Sequence, residues 1–252
     1  MGTKKQNGFT IIEVMLFLAV TGVLAVGILV GSGVAIGQQR YRDSVNSLRS
    51  YIQQQYSETA NVVNGRDKVW NCDSAGNVTE ADATAGQARG TSNCVILGRF
   101  VTVDATGTKL TASNITGFRT PGATTASSDI DEIITNYKLG ISPIDQDTQE
   151  VSWGAQVVKP KSTDPMPFSM LIIRSPLSGS VLTFSAPGLQ TDPEVLVSDT
   201  EVAKANMNTQ QDLCVNADVG SFVGGRMEVR INKFASSQSA IQVPAESDSV
   251  CN

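Results

Sequence analysis

The most distinctive pattern in the chain is an uninterrupted apolar segment close to its start. Residues 9–37 contain no Lys, Arg, Asp, Asn or Gln, and Glu13 is their only ionisable side chain. As a helix that rises about 1.5 Å per residue, this segment would measure roughly 44 Å, whereas the hydrocarbon core of a bilayer is about 30 Å thick. The pattern therefore predicts a helix long enough to span a membrane, with one carboxylate inside it.

An amphipathic pattern follows the apolar segment. Apolar residues recur at steps of four and three, with one longer step, while polar residues occupy the other faces, which predicts a helix with one buried stripe. Asn64-Gly65 provides a stop signal, so we predict one helix from Phe9 to Asn64 whose second part, 38–64, packs on the rest of the protein. The stripe consists of Tyr41, Val45, Leu48, Ile52, Tyr56 and Val63.

The strand-like segments of residues 65–252 predict one β-rich domain, here called the head, which is long enough to bury a core of its own. The segments up to residue 115 are predicted to form one hairpin, and those on either side of 176–179 a second. Residues 71–93 are predicted to form a loop, and 130–139 fits a helix or a strand. The expected fold is α+β, with the long helix packed on an antiparallel sheet. The predicted strands cover 95–97, 100–103, 109–118, 151–158, 168–174, 181–185, 226–234 and 240–243, and Gly98-Arg99 separates the first two.

Charge narrows the function classes. The 252 residues carry 24 acidic and 19 basic side chains, for a formal charge of -5. Loss of residues 1–8, with Lys4 and Lys5, would make it -7. An acidic head is not typical of a general nucleic-acid binder, but it suits solubility outside the cell. The basic residues on the two sides of the apolar segment slightly favour an N-terminus on the cytoplasmic side.

Four cysteines indicate an oxidising compartment and two disulfides. They allow three connectivities. Shorter separations close more readily, so we predict that Cys72 pairs with Cys94 and Cys214 with Cys251. A metal site is not expected from them, because the chain has no C-x-x-C spacing and no histidine.

The residues around Glu13 resemble the signature of a known superfamily. Met1 to Gly8 form a short basic and polar leader, and Gly8-Phe9-Thr10-Ile11-Ile12-Glu13 matches the prepilin peptidase signature of type IV pilins and type II secretion pseudopilins residue by residue. The resemblance implies cleavage between Gly8 and Phe9 and N-methylation of Phe9. It also implies that Glu13 pairs with the terminal amine of a neighbouring subunit, so that two charges that are costly in lipid offset each other.

The resemblance also implies an organisation and a function. Residues 1–8 would be the leader, 9–37 the transmembrane and filament-core helix, 38–64 its amphipathic continuation and 65–252 the extracellular head. We expect a single-pass protein of the inner membrane that becomes a structural subunit of an extracellular type IV pilus-like filament, and the long head favours a minor subunit. The expected partners are the membrane, prepilin peptidase, other pilin subunits and the pilus assembly platform.

Two alternatives remain open. The first is a type II secretion pseudopilin, which genes for a secretin and exported hydrolases beside this one would indicate, whereas a retraction ATPase would indicate a pilus. The second is a signal-anchored surface binding domain that never polymerises. Mass spectrometry of the mature N-terminus separates the second alternative from the other two, because only those two predict methylated Phe9.

Catalysis is not expected. Without histidine, Ser-His and Cys-His triads are excluded, and the sequence contains neither a Walker loop nor a G-x-S-x-G motif. We also expect no cofactor, with calcium as a minor alternative, because acidic loops offer the oxygen ligands that calcium prefers. The candidate ligands form two groups, Asp129, Asp131 and Glu132, and Asp145, Asp147 and Glu150.

One short segment of the head is basic enough to consider nucleic acid. It contains Arg226, Arg230 and Lys233. In the strand predicted over 226–234, Arg226 and Arg230 share a face with Glu228, which weakens the positive patch, while Met227, Val229 and Ile231 face the core. Nucleic-acid binding is therefore an unfavoured alternative.

Overall fold

The fold is known from a computed structural model, which describes residues 9–62, 69–81, 86–87, 91–217 and 225–251. It contains the predicted long N-terminal helix and antiparallel sheets, so the α+β expectation is confirmed. Helix α1 runs unbroken for 50 residues, from Ile11 to Ala60. It ends before the predicted Asn64, because the backbone of Asn61 leaves the helical region (φ -115°, ψ 61°). Arg174 donates to the terminal carbonyl of Ala60, which satisfies one of the unpaired acceptors of a helix end.

The strands and the other helices lie after α1 in the chain. The helices are α2 (Asp129–Asn136) and α3 (Thr200–Met207). The strands are β1 (Val69–Cys72), β2 (Val78–Ala81), β3 (Cys94–Val103), β4 (Lys109–Arg119), β5 (Tyr137–Ile141), β6 (Asp147–Glu150), β7 (Gln156–Val158), β8 (Phe168–Arg174), β9 (Val181–Pro187), β10 (Gln211–Asn216), β11 (Met227–Ile231) and β12 (Ile241–Gln242).

The strands form three antiparallel sheets. The largest has the order β5-β4-β3-β8-β9, and β6 pairs with the other end of β4. A second sheet has the order β12-β11-β10-β7, and β1 pairs with β2 alone. Both predicted hairpins, β3–β4 and β8–β9, are present. The segment over 130–139 forms both alternatives in succession, because α2 ends at Asn136 and β5 begins at Tyr137.

The second half of α1 lies in the core between the two larger sheets. The predicted stripe is buried at each of its described positions, from Tyr41 to Tyr56, whereas Val63 lies outside the described residues. A second row that the pattern did not predict is buried as well, because sheets cover the helix on two sides. That row consists of Ser44, Tyr51, Gln55 and Thr59.

Both faces of the six-stranded sheet are covered, which explains the continuous apolar run in β8. Met170 and Ile172 face the core around α1, whereas Leu171 and Ile173 face a second core. This second core contains Ile133 of α2 and several residues of the 193–207 region. The head therefore consists of layers, and α1 enters it at Tyr41.

Three predictions about loops and strands were also wrong. Part of the 71–93 loop is the β1–β2 hairpin, whose Gly76 turn lies against Gly140; a Cβ on Gly140 would stand 2.2 Å from the Gly76 oxygen. Gly98-Arg99 does not separate two strands but lies within β3, and the pairing of β3 with β4 shifts register at a bulge between Ile96 and Gly98. Only Gln156–Val158 of the strand predicted over 151–158 is extended, because a 3₁₀ turn at Ser152–Gly154 precedes it.

Candidate functional site

The N-terminal end of α1 holds Glu13 in a capping box. Thr10 is the N-cap residue, and its hydroxyl accepts a hydrogen bond from the backbone N–H of Glu13 (3.3 Å). The Glu13 carboxylate in turn accepts from the backbone N–H and from the hydroxyl of Thr10, both at 3.3 Å. The carboxylate also lies at the positive end of the helix dipole. Its charge is therefore compensated partly within its own helix.

A long apolar surface surrounds this carboxylate. Phe9 is 84% exposed, and the large apolar side chains from Ile11 to Ile36 are exposed as well. Within the described residues, α1 is the one helix that is long and apolar enough to cross a membrane, with a mean hydropathy of 2.6 over its most apolar window. A contiguous apolar surface of this length needs lipid or other apolar helices around it. Gly8, Lys4 and Lys5 lie outside the described residues.

Tyr41 joins the apolar helix to the head. Its hydroxyl donates to the carbonyl of Val215 and accepts from the backbone N–H of Met227, both at 2.6 Å. Burial raises the pKa of the Tyr41 phenol, although its hydrogen bond with Met227 acts in the opposite direction. Because the two partners lie on β10 and β11, the hydroxyl fixes α1 to two strands at the point where the helix leaves the head.

The two disulfides have the predicted pairing. Cys72 and Cys94 join β1 to β3, with 5.8 Å between their Cα atoms, and Cys214 and Cys251 join β10 to the C-terminal segment, with 5.5 Å. The second bridge adjoins Glu228, which is buried and accepts a hydrogen bond from the Val250 N–H (2.8 Å). This bridge therefore holds the C-terminal segment over a buried carboxylate.

The three carboxylates of the first candidate calcium group, Asp129, Asp131 and Glu132, each have different hydrogen-bond partners. Asp129 accepts from the hydroxyls of Ser175 and Ser178. Asp131 accepts from Ser128 and Thr200, and those hydroxyls lower the pKa of its carboxyl. Buried Glu132 accepts from the Asn136 amide and the Ala126 N–H.

The second acidic group includes Asp147 and Glu150 on β6, whereas Asp145 lies before that strand and lines a cleft beside the end of α1. No group of three or more His, Cys, Asp or Glu side chains in the described part of the chain could hold a metal ion.

The cleft beside the end of α1 does not combine a nucleophile with a base. It has a volume of about 290 Å³, and its cation, Arg99, is buried. The guanidinium donates to Gln55 (2.9 Å) and Asn114 (2.8 Å) and lies 3.2 Å from the Glu58 carboxylate. These contacts hold Arg99 as a structural cation between α1 and the sheet.

The basic segment around β11 is partly neutralised. The Arg230 guanidinium contacts the carboxylates of Asp212 (3.0 Å) and Glu228 (2.7 Å). Arg226 donates to the carbonyl of Ser162. Burial of Glu228, which contradicts the expected alternation of buried and exposed positions, follows from its cover by the C-terminal segment. The positive charge of Arg230 is therefore offset by two carboxylates, whereas Lys233 is exposed.

The capping role of Thr10 was not among the predictions from the sequence. The signal was available, because Thr followed three residues later by Glu at the start of an apolar run is the capping-box signature. The sequence also contains no sign that the Arg40 guanidinium lies over the Trp153 ring, 4.8 Å from its centre. This contact joins residues more than a hundred positions apart in the chain, and no local pattern predicts it.

Comparison with known proteins places the motif in one class. Residues 3–29 match the family model of the prokaryotic N-terminal methylation motif. This motif is the class III signal peptide of type IV pilins and pseudopilins. Searches of curated proteins and of solved structures give no significant match.

Proposed function

We propose that this chain, a precursor with the N-terminal methylation motif of type IV pilins and pseudopilins, is a structural subunit of a bacterial type IV pilus-like filament. The observation that carries the proposal is the coincidence of that motif with the exposed apolar segment 9–37, in which Glu13 is the sole ionisable side chain. The head is large and is held by its own cores and two disulfides. A head of this size supports a minor rather than a major subunit.

Processing creates the charge that Glu13 pairs with. Cleavage between Gly8 and Phe9 by prepilin peptidase leaves a cationic amine on Phe9, four positions before Glu13. In surroundings of low dielectric constant, an amine and a carboxylate attract each other strongly, and each is costly alone. The amine of one subunit and the Glu13 carboxylate of its neighbour therefore favour one axial register of the two helices.

Helix packing supplies the remainder of the assembly energy. The first part of α1 exposes apolar side chains from Ile11 to Ile36. This part of the helix can therefore lie in lipid before assembly and among other helices in the filament core. Lipid and helix surfaces are similarly apolar, and close van der Waals contact and the charge pair then determine which neighbour is preferred. The assembly platform of the inner membrane would transfer the helix from one environment to the other, and the head would face outward.

A pseudopilin of a type II secretion system is the second candidate, because the same motif at residues 3–29 supports it equally. It would use the same cleavage and the same Glu13 pair but would join a short periplasmic filament. Neighbouring genes for a secretin and exported hydrolases would favour this candidate over a pilus.

The deciding experiment is mass spectrometry of the mature N-terminus. The chain is purified from cell membranes and from sheared surface filaments, and a strain without prepilin peptidase is the control. We expect an N-terminal peptide that starts at Phe9 and carries one methyl group in the normal strain, and the intact leader in the control. A chain that keeps residues 1–8 in normal cells, together with filaments that do not contain it, would contradict the proposal.

A further inference from the structure

The base of the head presents a tryptophan to solvent beside the point where α1 enters. Trp153 is 56% exposed and its backbone is in the left-handed region (φ 59°), which is uncommon for a bulky residue. Its neighbours Val151 and Ala155 are buried. The turn therefore holds the indole on the surface of the head, although an apolar ring is less stable in water than in a protein core.

The turn is attached firmly to α1. The Ser44 hydroxyl donates to the carbonyl of Ser152 (2.5 Å), and the guanidinium of Arg40 lies 4.8 Å from the centre of the Trp153 ring. Tyr41 fixes the same part of the helix to β10 and β11. The indole therefore has a defined axial position on α1, at the level of Arg40.

This level is three residues beyond Gly37, where the apolar segment ends. Trp and Arg are the side chains that favour the interface between hydrocarbon and water, because each combines an apolar body with a polar group. Arg42 and Asp43 follow in the chain, both exposed, and because their charges offset each other, Arg40 supplies the net attraction to anionic head groups. The pair is thus continuous with the candidate membrane span and has the chemistry of an interfacial anchor.

We propose that Arg40 and Trp153 insert into the head-group layer of the outer leaflet and set the depth of the unassembled subunit in the membrane. The inference rests on the proposed function, since it requires a membrane-held precursor. The apolar segment is longer than the hydrocarbon core, so it does not fix its own axial position. The Arg40–Trp153 anchor does.

The anchor also determines where Glu13 lies. Glu13 and Arg40 are 27 positions apart on one helix, or about 40 Å at 1.5 Å per residue. The bilayer with both of its interfaces is about 40–45 Å thick. With Arg40 in one interface, Glu13 lies in the opposite one, where water and head groups solvate its carboxylate and the peptidase can reach the adjacent Gly8–Phe9 bond.

Depth-dependent quenching of Trp153 fluorescence tests the inference. The full chain is reconstituted in vesicles of phosphatidylethanolamine and phosphatidylglycerol that carry bromine on the lipid chains, either near the head group or near the bilayer centre. Trp70, which is buried in the head, is replaced by Phe so that Trp153 is the sole tryptophan, and excitation at the red edge of the absorption band avoids the tyrosines. If Trp70→Phe does not fold, the difference between the native chain and Trp153→Phe gives the same signal.

We expect bromine near the head group to remove most of the Trp153 emission, bromine at the bilayer centre to remove little, and aqueous iodide to remove little. The Trp153→Phe chain, which reports Trp70, should respond to neither lipid. Alkaline extraction measures insertion separately. If the chain is inserted but iodide quenches Trp153 and brominated lipid does not, the anchor is wrong and the proposed function is unaffected. The same conclusion follows if Trp153 becomes protected from iodide only in assembled filaments. A chain that alkali extracts overturns both.

Discussion

The Glu13 carboxylate accepts a hydrogen bond from the backbone N–H of Thr10, and the Thr10 hydroxyl accepts one from the backbone N–H of Glu13, each at 3.3 Å. This reciprocal contact gives Glu13 two separate tasks. Within one chain it caps α1, and between chains its charge would attract the amine of Phe9. The two tasks require different chemistry, because a cap needs a hydrogen-bond acceptor whereas the amine needs a negative charge.

Substitutions at Glu13 should therefore separate capping from assembly. Glu13→Ala removes both functions, while Glu13→Gln keeps an acceptor and removes the charge. We expect both variants to be cleaved and held in the membrane but to enter filaments poorly, because neither attracts the Phe9 amine. The measurement is the ratio of the chain in sheared filaments to the chain in the membrane fraction, with mass spectrometry of the N-terminus as the check on processing.

Thr10→Ala is the matched control. It removes the N-cap hydroxyl at a cost of about 0.5–2 kcal/mol to the first helical turn but keeps the Glu13 charge. We expect near-normal incorporation of this variant. Normal incorporation of Glu13→Gln would show that the charge has no part in assembly, and failure of Thr10→Ala alone would assign the contribution of Glu13 to capping.

The hydroxyl of Tyr41 should contribute measurably to head stability. Tyr41→Phe keeps the buried ring but leaves the Val215 carbonyl and the Met227 N–H without this partner. Loss of hydrogen bonds in a buried site costs about 1–3 kcal/mol, so we expect a lower unfolding free energy of that size. Urea denaturation of the full chain in detergent micelles, followed by near-UV circular dichroism, measures it.

Tyr51→Phe serves as the comparison for Tyr41. The Tyr51 hydroxyl donates a longer bond, 3.3 Å, to the carbonyl of Asp147 at a partly buried site. Its removal should cost about 0.5–1.5 kcal/mol, less than that of Tyr41. If the two variants lose the same unfolding free energy, the two hydrogen bonds of Tyr41 to β10 and β11 contribute no more to stability than the single bond of Tyr51.

Periodicity sufficed to predict α1, because the buried face of a helix repeats every 3.6 residues whatever covers it. The stripe from Tyr41 to Tyr56 is buried as predicted. The second buried row, which includes Ser44 and Gln55, was not predicted. These polar side chains can be buried because two sheets enclose the helix and supply hydrogen-bond partners. The Ser152 carbonyl accepts from Ser44, and Arg99 donates to Gln55.

Contacts between distant parts of the chain explain the other failures. The strand predicted over 151–158 has an alternating composition, yet its first half turns so that Val151 and Ala155 are buried on either side of Trp153. Glu228 alternates as an exposed residue should, but the C-terminal segment tied by Cys251 covers it. In both cases a tertiary partner overrides the local pattern.

Loss of the C-terminal disulfide should expose that buried carboxylate. Cys214→Ser with Cys251→Ser opens a loop with a sequence separation of 37, which costs about 4 kcal/mol in a chain-entropy description. It also frees the segment whose Val250 N–H bonds to Glu228. We expect lower stability and faster hydrogen exchange at residue 250, measured by mass spectrometry on the full chain.

The Cys72–Cys94 bridge provides a comparison for that result. Its shorter separation of 22 makes the entropic loss smaller by only about 0.5 kcal/mol, and it does not border Glu228. Cys72→Ser with Cys94→Ser should therefore leave exchange at residue 250 unchanged. Fast exchange there in both double variants would indicate global unfolding instead of local release of the C-terminal segment.

Stability should fall in alkaline solution, and Tyr56 should account for part of the loss. Burial raises the pKa of the Tyr56 phenol well above its ordinary value of about 10, although its hydrogen bond with Thr183 acts in the opposite direction. The unfolded chain therefore releases this proton first as the pH rises past about 10, while the folded chain keeps it. The stabilising contribution is complete below pH 10 and decreases above it by up to about 1.4 kcal/mol per pH unit.

Tyr56→Phe should flatten this alkaline decline, because phenylalanine has no proton to lose. Tyr51, whose pKa is also raised by burial, should keep part of the decline in the variant. Thr183→Val is the matched control: it removes the same hydrogen bond but leaves the phenol able to titrate, so the native slope should persist. Unfolding free energies from urea denaturation between pH 8 and 12 give the slopes. An unchanged slope in Tyr56→Phe would mean that the phenol ionises equally in the folded and unfolded chains.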